Sequence, residues 1–452
     1  MSSCCEEGTT VVPNPMIEHR GGRKSKRVNL FDAENPIPNE IKDTDELQKV
    51  IAEYRLVPYA GSSQHSGDTL LDWYLMLAKL SPTQSAAIQK ITKYVVGSRV
   101  KIVAAEDPEF DSGAPLADLS VAEKEAYAQA IKETIEYKDG IRSFHKKLQS
   151  AMSGTGNAWA ELSISTVNGQ TRAAIKYVKV TDVRYIATKP GELRAVAISP
   201  KWDSEYLRKN PPTKLPIAPT FLKGKDGVLR TMFHLKSGDG NWYGRPDSEG
   251  AAMYAYREVQ DAIYLIKQAA GNFVGQLIIE VEDDDAGTPA IDNAAAQQSG
   301  FDSFATRMEE NYTNKGSEPQ AVLVTARPIG SRPMFVHQVK PNTNEAWYKV
   351  TGEISEQKIV REHCLTLRFM GFDVAGGFGA NSFVEDYVMN VEPIISEHRA
   401  TLMAFSNSIL SLVWEVAGKP ELNKYSITFE SPIQTQVNQY KQNGNQGTNN
   451  AL

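Results

Sequence analysis

Two long helical patterns enclose a segment of different character in the second half of the 452-residue sequence. Residues 250–272 carry apolar side chains at three- and four-residue spacing, which predicts a helix of about six turns. Residues 346–370 repeat this pattern, whereas residues 273–345 between them contain strand-like runs such as QLIIEVE and QAVLVTA. A chain that leaves one long helix and returns as another must carry the intervening residues as a separable α/β insert.

The first half of the chain is mainly helical up to residue 155 and then strand-like. Residues 70–155 have helical spacing apart from SRVKIVAA at 98–105, which predicts a strand. Ser81-Pro82 marks one helix start, and a Ser120/Glu123 capping-box pattern starts a helix predicted over 120–137. Residues 157–235 alternate with a period of two and predict half-buried strands, with NPPTKLPIAPT as an irregular loop between them. Segregated helices and strands of this kind predict an α+β fold.

These patterns place the boundaries of the chain's segments. A weakly periodic arm contains the basic patch HRGGRKSKR at its centre, a last long helix over about 384–417 contains Pro393, and the C-terminal tail is rich in Gln and Asn. We expect Pro393 to start or kink its helix, and we expect the tail to be disordered. The predicted segments are an arm at 1–65, a mixed region at 66–249, a helix at 250–272, an insert at 273–345, a helix at 346–370, a glycine-rich loop at 371–384, a helix and strand at 385–431 and a tail at 432–452.

Composition excludes several classes of protein. The 49 basic and 55 acidic side chains give a net charge of −6, so any DNA partner is not held by a bulk positive surface. Three cysteines and seven scattered histidines form neither a disulfide framework nor a metal-ligand pattern, which favours a reducing, cytoplasmic folding environment without metal or cofactor. No apolar run approaches the length of a membrane span and the polar N-terminus lacks a signal-peptide core, so neither membrane association nor secretion is expected.

The glycine-rich stretch MGFDVAGGFGANSFV at 370–384 is the main candidate for phosphate chemistry. A Walker-type loop needs a lysine and a Ser or Thr after the last glycine, and no lysine follows here. A dinucleotide-binding fingerprint opens a helix after a strand, whereas a helical pattern precedes this stretch. The sequence also lacks a nucleophile elbow, so we do not expect an enzyme.

Three phrases carry a resemblance to a known family. They are SGTGNAWAEL at 153–162, FHLKSGDGNWYGRPDSEGA at 233–251 and FVEDYVMNVEPIISEHRATLMAFSNSIL from Phe383. Their order over roughly 70–417 resembles tailed-bacteriophage portal proteins, in which a Gly-Asn-aromatic strand start, a histidine strand and a Tyr-Gly-x-Pro start of a long helix follow one another. The matching residues are Asn157, His234, Tyr243, Gly244 and Pro246.

The sequence also departs from this family. Arg245 and Asp247-Ser248-Glu249 stand where a Ser-Pro-Leu type of helix start is frequent. Asn381-Ser382 stands in for the commonest asparagine and serine arrangement of the glycine stretch. These departures concern the roles of single loops.

The resemblance implies a ring, usually of twelve copies, at one vertex of a capsid. Double-stranded DNA would pass through it without sequence readout during packaging and ejection. Its partners would be the terminase large subunit, the major capsid protein, scaffold and the head-completion or connector proteins. The protein would reside in the virion, and in the host cytoplasm during assembly. The segment 66–249 would be the wing, 250–272 and 346–370 the stem, 273–345 the clip, 371–384 the tunnel loop, and 385–431 would return to wing and crown.

The same resemblance assigns three groups of site residues. The tunnel-loop group facing DNA is Phe372, Val374, Gly376, Gly377, Phe378, Gly379, Asn381 and Ser382. The stem cations are Lys267, Lys358, Arg361 and Arg368. The clip surface for partners is Glu282, Asp283, Asp284, Asp285, Arg307 and Arg327.

Physical requirements of a conduit agree with this assignment but leave alternatives open. A net-negative wall does not retain a sliding duplex, and glycine gives a loop at a narrow axis freedom of movement. The stem cations could instead pair with acids such as Asp261 and Glu362, and the acidic run from Glu280 could be a solvated turn. Two further alternatives are a capsid or connector protein without a channel and an enzyme that binds phosphate at the glycine stretch. The target of the basic patch at 19–27 stays open between scaffold, capsid and DNA.

Overall fold

The computed structural model describes residues 50, 53–59, 70–105, 119–189, 192–202, 204–238, 242–270, 278–282, 323–327, 345–372 and 380–433. The chain divides into two compact units. One comprises residues 1–36 and 261–345, and the other comprises residues 37–260 and 346–452. The α+β class predicted from the sequence is confirmed by the described helices and sheets.

Helices and sheet alternate in the first part of the larger unit. Its helices are α1 (Leu70–Leu80), α2 (Pro82–Val96), α3 (Val121–Thr134) and α4 (Ile141–Thr155). The predicted starts are confirmed: Ser81 caps α2 by accepting from the Gln84 N–H at 3.2 Å, and Ser120 forms the complete capping box with Glu123 at α3. Helix α3 is shorter than predicted, because residues Ile135–Tyr137 leave it to form a strand.

Five strands form the central sheet of this unit. This part of the unit contains nine described strands, five of which belong to that sheet: β1 (Val100–Ala104), β2 (Ile135–Tyr137), β3 (Asn157–Val167), β4 (Gln170–Val178), β5 (Val183–Ile186), β6 (Ala195–Ile198), β7 (Thr213–Pro216), β8 (Leu222–Lys223) and β9 (Leu229–Lys236). A short helix α5 (Ser204–Lys209) precedes β7. The central sheet has the order β2-β4-β3-β9-β8, and β5-β6-β7 form a second antiparallel sheet. Strand β7 corrects the prediction of an irregular loop there, because its backbone pairs with β6 despite the surrounding prolines.

The two long helical segments differ from the prediction in one respect. Helix α6 (Ala252–Ala270) follows a single 3-10 turn, as expected. The predicted helix 346–370 is instead two helices, α7 (Glu345–Glu362) and α8 (Leu367–Met370). The chain turns at Cys364, whose φ of 52° is left-handed, and Thr366 then caps α8. A left-handed residue cannot continue an α-helix, so the segment breaks there.

The C-terminal part closes the larger unit. Helix α9 (Ala380–Asp386) passes through a π-helical turn at Tyr387–Val391 into α10 (Glu392–Val416), and Pro393 lies in the first turn of α10, as predicted. The last strand, β12 (Tyr425–Phe429), pairs antiparallel with β1. Trp159 on β3 and Trp414 on α10 belong to the same buried core.

Two strands are described in the smaller unit. They are β10 (Ile278–Glu282) and β11 (Leu323–Arg327), which pair in parallel. Both were predicted as strands of the insert. The sequence of the insert also predicts a short helix over SGFDSFATRMEENYTN and a strand over PMFVHQV. Both lie outside the described residues, as does the C-terminal tail from 434.

Part of the predicted arm is integrated into the larger unit. Residues 53–59 are described, and Tyr59 is buried with its ring stacked on Tyr243 at a centroid distance of 3.8 Å. The Tyr59 hydroxyl donates to the Val180 carbonyl at 3.1 Å. The basic patch at 19–27 lies outside the described residues.

Candidate functional site

The described residues on either side of the glycine-rich loop are held together at its base. Thr366, the N-cap of α8, accepts a hydrogen bond from the Phe369 N–H at 3.1 Å. Its hydroxyl donates to Asp386 Oδ2, at the end of α9, at 2.5 Å. Asn390 donates to the other oxygen of the same carboxylate at 2.9 Å. One short polar chain thus connects the segment before the loop with the segment after it.

Aromatic packing supports this base from inside. Phe369 is buried, and its ring centroid lies 4.9 Å from that of Tyr94, 5.9 Å from that of Tyr387 and 6.4 Å from that of Phe383. Tyr94 comes from α2, so the base is attached to the core of the unit. We call these four rings the aromatic base. Such pairs add about 0.5–1.5 kcal/mol each beyond their burial, which is enough to fix the two ends of a loop.

A lysine also contacts the aromatic base. Lys90 Nζ donates to the Phe369 carbonyl and lies 5.3 Å from the centre of the Phe369 ring. Burial, and secondly the nearby Lys93, lower the pKa of Lys90. The carbonyl and the ring face offset part of this cost because both attract a cation.

The structure describes only part of the predicted tunnel-loop group. Phe372 is half-buried against the core, and its N–H donates to the Leu367 carbonyl at 3.0 Å. Asn381 and Ser382 lie in α9 rather than in a loop. The remaining members lie outside the described residues: Val374, Gly376, Gly377, Phe378 and Gly379.

The predicted stem cations lie on three different elements. Lys358 and Arg361 are exposed on α7, and Lys267 lies in α6. Arg368 is half-buried in α8, beyond the break. Within the described chain, neither Lys358 nor Arg361 forms an ion pair, so the alternative of pairing with Glu362 is not found for them.

Two members of the predicted clip surface occupy neighbouring strands. Glu282 ends β10 and Arg327 ends β11, and the parallel register places them directly opposite each other. The other members lie outside the described residues: Asp283, Asp284, Asp285 and Arg307.

The residues that carry the family resemblance meet in one buried cluster, which we call the Asn157 clamp. Asn157 Oδ1 accepts from the Gly244 N–H at 2.8 Å, and its Nδ2 donates to the Gly244 carbonyl at 2.9 Å and to the Thr155 carbonyl at 2.7 Å. His234 Nε2 lies 3.0 Å from the same Oδ1. Asn157 thereby ties the start of β3 to the loop that leads into α6.

His234 and Tyr243 extend the clamp. The His234 ring stacks on Trp159 at 3.8 Å, and its Nδ1 contacts the Tyr185 hydroxyl at 3.0 Å. Burial lowers the pKa of His234 to about 3, so the ring is neutral at pH 7. Tyr243 donates to the Val57 carbonyl at 2.8 Å and accepts from the Tyr185 N–H at 2.7 Å.

Two glycines make the close backbone contacts of the Asn157 clamp possible. A Cβ on Gly156, whose φ is 71°, would overlap the backbone of Arg245. A Cβ on Gly244 would overlap the Gly156 carbonyl oxygen and the backbone of Ser237. The strand start and the helix-leading loop therefore touch backbone to backbone, which only glycine permits.

Within the larger unit, the start of α6 packs against α7 and α1. Ala255 and Tyr256 of α6, Ile359 of α7 and Trp73 and Leu77 of α1 form one buried cluster. Polar contacts surround it: Ser81 donates to Glu258 at 2.5 Å, and Tyr74 donates to Glu249 at 2.7 Å. Met253, Tyr256 and Val259 share the predicted apolar face of α6, but Met253 is 48% exposed whereas Tyr256 and Val259 are buried.

Like charges meet across this helix pair. Burial, and secondly the carboxylates of Glu258 and Glu353, raise the pKa of Glu356 on α7. Glu356 therefore opposes the packing of the two helices when it is ionised.

No helix in the described part of the chain is long and apolar enough to cross a membrane. No group of three or more described His, Cys, Asp or Glu side chains is placed to hold a metal.

No family model and no curated protein matches the chain. Similar solved structures include the neck of an empty GTA particle with C6 symmetry (12% identity, TM-score 0.42, covering 81% of this chain and 86% of that one). The virion of a native gene transfer agent particle is 11% identical, with TM-score 0.43 and coverages of 88% and 93%. An HK97 family phage portal protein from Corynebacterium diphtheriae is 13% identical, with TM-score 0.38 and coverages of 80% and 97%.

The chain is thus similar to portal and neck proteins of phage-like particles, the class of protein that the sequence resembles.

Proposed function

We propose that this protein is a portal protein of a tailed phage or phage-like particle, located at a capsid vertex of the virion. Copies of the chain form a closed ring, with twelve as the expected number, around a channel for double-stranded DNA. The observation that carries the proposal is the Asn157 clamp. Residues that are 87 positions apart in the sequence, Asn157 and Gly244, carry the family resemblance and contact each other directly in the fold.

The clamp supports a mechanical role for α6. Two of the four hydrogen bonds of the buried Asn157 side chain fix Gly244 in the loop before α6, and the other two reach the Thr155 carbonyl and His234. The first turns of α6 then pack on α7 and α1. If mechanical force passes along α6 and α7 in such a ring, the end of each helix that joins the rest of the unit must be rigidly held. We assign α6 and α7 to the stem and residues 66–249 to the wing on this basis.

The aromatic base supports the assignment of residues 371–384 to a tunnel loop. A loop that touches a moving duplex must be tethered at its ends and free of strong phosphate contacts between them. Thr366, Asp386 and the aromatic base supply the tether. The glycines between them offer backbone without charged side chains.

Ring closure requires a head-to-tail interface between copies, because two-fold contacts would close after two subunits. The insert 273–345 would be the clip, which first meets the terminase large subunit and then the connector proteins. Scaffold and the major capsid protein would contact the wing. We assign no catalytic activity and no cofactor to the protein.

Electron microscopy of the purified chain tests the ring. We expect particles with a central hole and high rotational symmetry in negative stain. Monomers or flat sheets would instead favour a capsid or connector component without a channel. ATP hydrolysis by the isolated chain would favour the enzyme alternative.

Deletion of residues 376–380 tests the loop. We expect intact rings, but altered DNA packaging or retention in particles assembled with the cognate capsid proteins. A length-preserving control replaces Gly376, Gly377 and Gly379 by alanine and separates loop reach from loop flexibility. Normal packaging by the deletion variant would contradict a channel role for the loop.

A further inference from the structure

A groove on the larger unit lies between α2 and α4 and reaches α1. Its main part has a volume of about 680 Å³, and an adjoining part of about 470 Å³ shares four of its lining residues. The shared residues are Gln89, Thr92, Lys146 and Ser150. The two parts therefore form one continuous groove, which none of the predicted site residues lines.

The groove carries charge of one sign. Among the described residues, no acidic side chain lines it, whereas six lysines do: Lys79, Lys90, Lys93, Lys146, Lys147 and Lys179. The chain as a whole has a net charge of −6, so this concentration of lysines runs against the average. Two lysines have partners of their own, since Lys147 pairs with Asp139 at 2.8 Å and Lys90 contacts the Phe369 carbonyl. The like charges of the others favour an anionic occupant.

A buried hydroxyl in the groove has no partner. Thr92 is 9% exposed and lines both parts, and its Oγ1 forms no hydrogen bond with the residues that the structure describes. A buried hydroxyl without a partner costs about 1–3 kcal/mol, so a ligand atom that satisfies it would recover part of this cost. Because Thr92 Oγ1 has almost no accessible surface, a carboxylate or a backbone amide of a ligand would reach it only after the side chain rotates toward the groove.

The floor of the groove decides which anion fits. Apolar side chains from three elements form it, among them Leu75 and Ala78 of α1, Ile88 of α2 and Ala151 of α4. A duplex presents sugar and phosphate at its convex outer surface and would leave an apolar floor unused. A peptide with apolar side chains between carboxylates matches both the floor and the lysine rim.

We propose that this groove docks an acidic, amphipathic peptide segment of a partner protein. Its apolar side chains would cover Ile88 and Leu75, and its carboxylates would face Lys79, Lys93 and Lys146. The proposal does not depend on the channel function, because a connector without a channel could use the same groove.

Fluorescence anisotropy with labelled synthetic peptides tests the proposal on the full chain. The probe is EELEELEE, and its matched controls are QQLQQLQQ, which lacks the charge, and EEGEEGEE, which lacks the apolar side chains. We expect saturable binding of EELEELEE that weakens with added salt, and weaker binding of both controls.

Three variants locate the binding. Lys146→Glu reverses an exposed charge shared by both parts of the groove and should weaken binding at least about tenfold. Lys225→Glu makes the same change on an exposed lysine in the β8–β9 turn and should have no effect. Thr92→Val keeps the side-chain shape, removes the unpaired hydroxyl and should weaken binding about threefold without lowering Tm.

Several results would overturn the proposal. They are the absence of saturable binding, equal binding by the wild-type and Lys146→Glu proteins, and equal affinity for EEGEEGEE. Tighter binding of a duplex DNA than of EELEELEE, lost in Lys146→Glu, would assign the groove to nucleic acid instead.

Discussion

The Asn157 side chain forms hydrogen bonds with both backbone groups of Gly244, accepting from its N–H at 2.8 Å and donating to its carbonyl at 2.9 Å. We expect Asn157→Ala to leave these groups and the Thr155 carbonyl unpaired inside the protein. Each buried unpaired group costs about 1–3 kcal/mol, so the loss should be several kcal/mol. Urea denaturation of the purified chain measures it. The control Asn210→Ala removes an exposed asparagine after α5 and should change stability little.

The same variant reports on the start of α6. We expect amide hydrogens in the first turns of α6 to exchange faster in Asn157→Ala, because the preceding loop loses its main anchor. Unchanged exchange there, together with a large loss of global stability, would show that the clamp supports the sheet rather than the helix.

Acid should destabilise the larger unit through its buried histidines. Burial lowers the pKa of His145 and of His363 to about 4 and that of His234 to about 3, against an ordinary value of 6.5. A depressed histidine pKa means that the unfolded chain binds more protons than the folded one below pH 6.5. Stability is therefore complete above pH 6.5 and falls as the pH decreases toward 4, by at most about 1.4 kcal/mol per pH unit for each histidine.

Urea midpoints at pH 7, 6 and 5 measure this slope. His145→Gln places a polar side chain that does not titrate next to the Ser406 hydroxyl and the Ile141 carbonyl. It should flatten the pH dependence of stability and lower the stability at pH 7. A midpoint that does not change between pH 7 and 5 in the wild-type chain would contradict the prediction.

Glu356→Gln should stabilise the packing of α6 on α7 at neutral pH. The pKa of Glu356 is raised above its ordinary 4.5 by burial and by neighbouring carboxylates. A raised carboxyl pKa favours folding below 4.5 and opposes it as the pH rises through the folded-state value. We expect Tm of the variant to exceed that of the wild type at pH 7, by an amount that shrinks toward pH 4.5. Glu125→Gln, which removes the charge of an exposed glutamate on α3, is the matched control.

Phe369→Ala should loosen the glycine loop. Removing this buried ring costs about 3–5 kcal/mol and takes away the centre of the aromatic base. Phe144→Ala removes an equally buried ring from α4, away from the loop. At conditions where both variants stay folded, we expect faster chymotrypsin cleavage at Phe378 in Phe369→Ala alone. Equal cleavage rates in the two variants would contradict an anchoring role for Phe369.

Local sequence signals predicted the elements well where one residue type dictates the backbone. Ser81, the Ser120/Glu123 box and Pro393 each start a helix where expected, because their side chains act within one turn. The break after Glu362 was missed, since a cysteine with left-handed backbone has no composition signal. Strand β7 was missed because pairing with β6 overrides the prolines around it.

The functional site was predictable only in part. The resemblance named Asn157, His234, Tyr243 and Gly244 one phrase at a time, but not that they form one clamp. Their contacts span strands β3 and β9 and the loop before α6, and no periodicity in the sequence encodes such long-range pairing. Nothing in the sequence indicated Thr92 as a binding residue. A single threonine in a helix becomes informative only when the structure shows that its buried hydroxyl has no hydrogen-bond partner among the described residues.

The pairing of β1 with β12 joins residues near opposite ends of the described chain. During translation, β1 leaves the ribosome with an unpaired edge that is not covered until Tyr425–Phe429 have been made. An unpaired strand edge is a site for wrong partners, including the same strand of another nascent chain. A protein whose copies are made at high concentration would therefore complete this part of each subunit only after β12 has been synthesised. Assembly would then have to wait for that step.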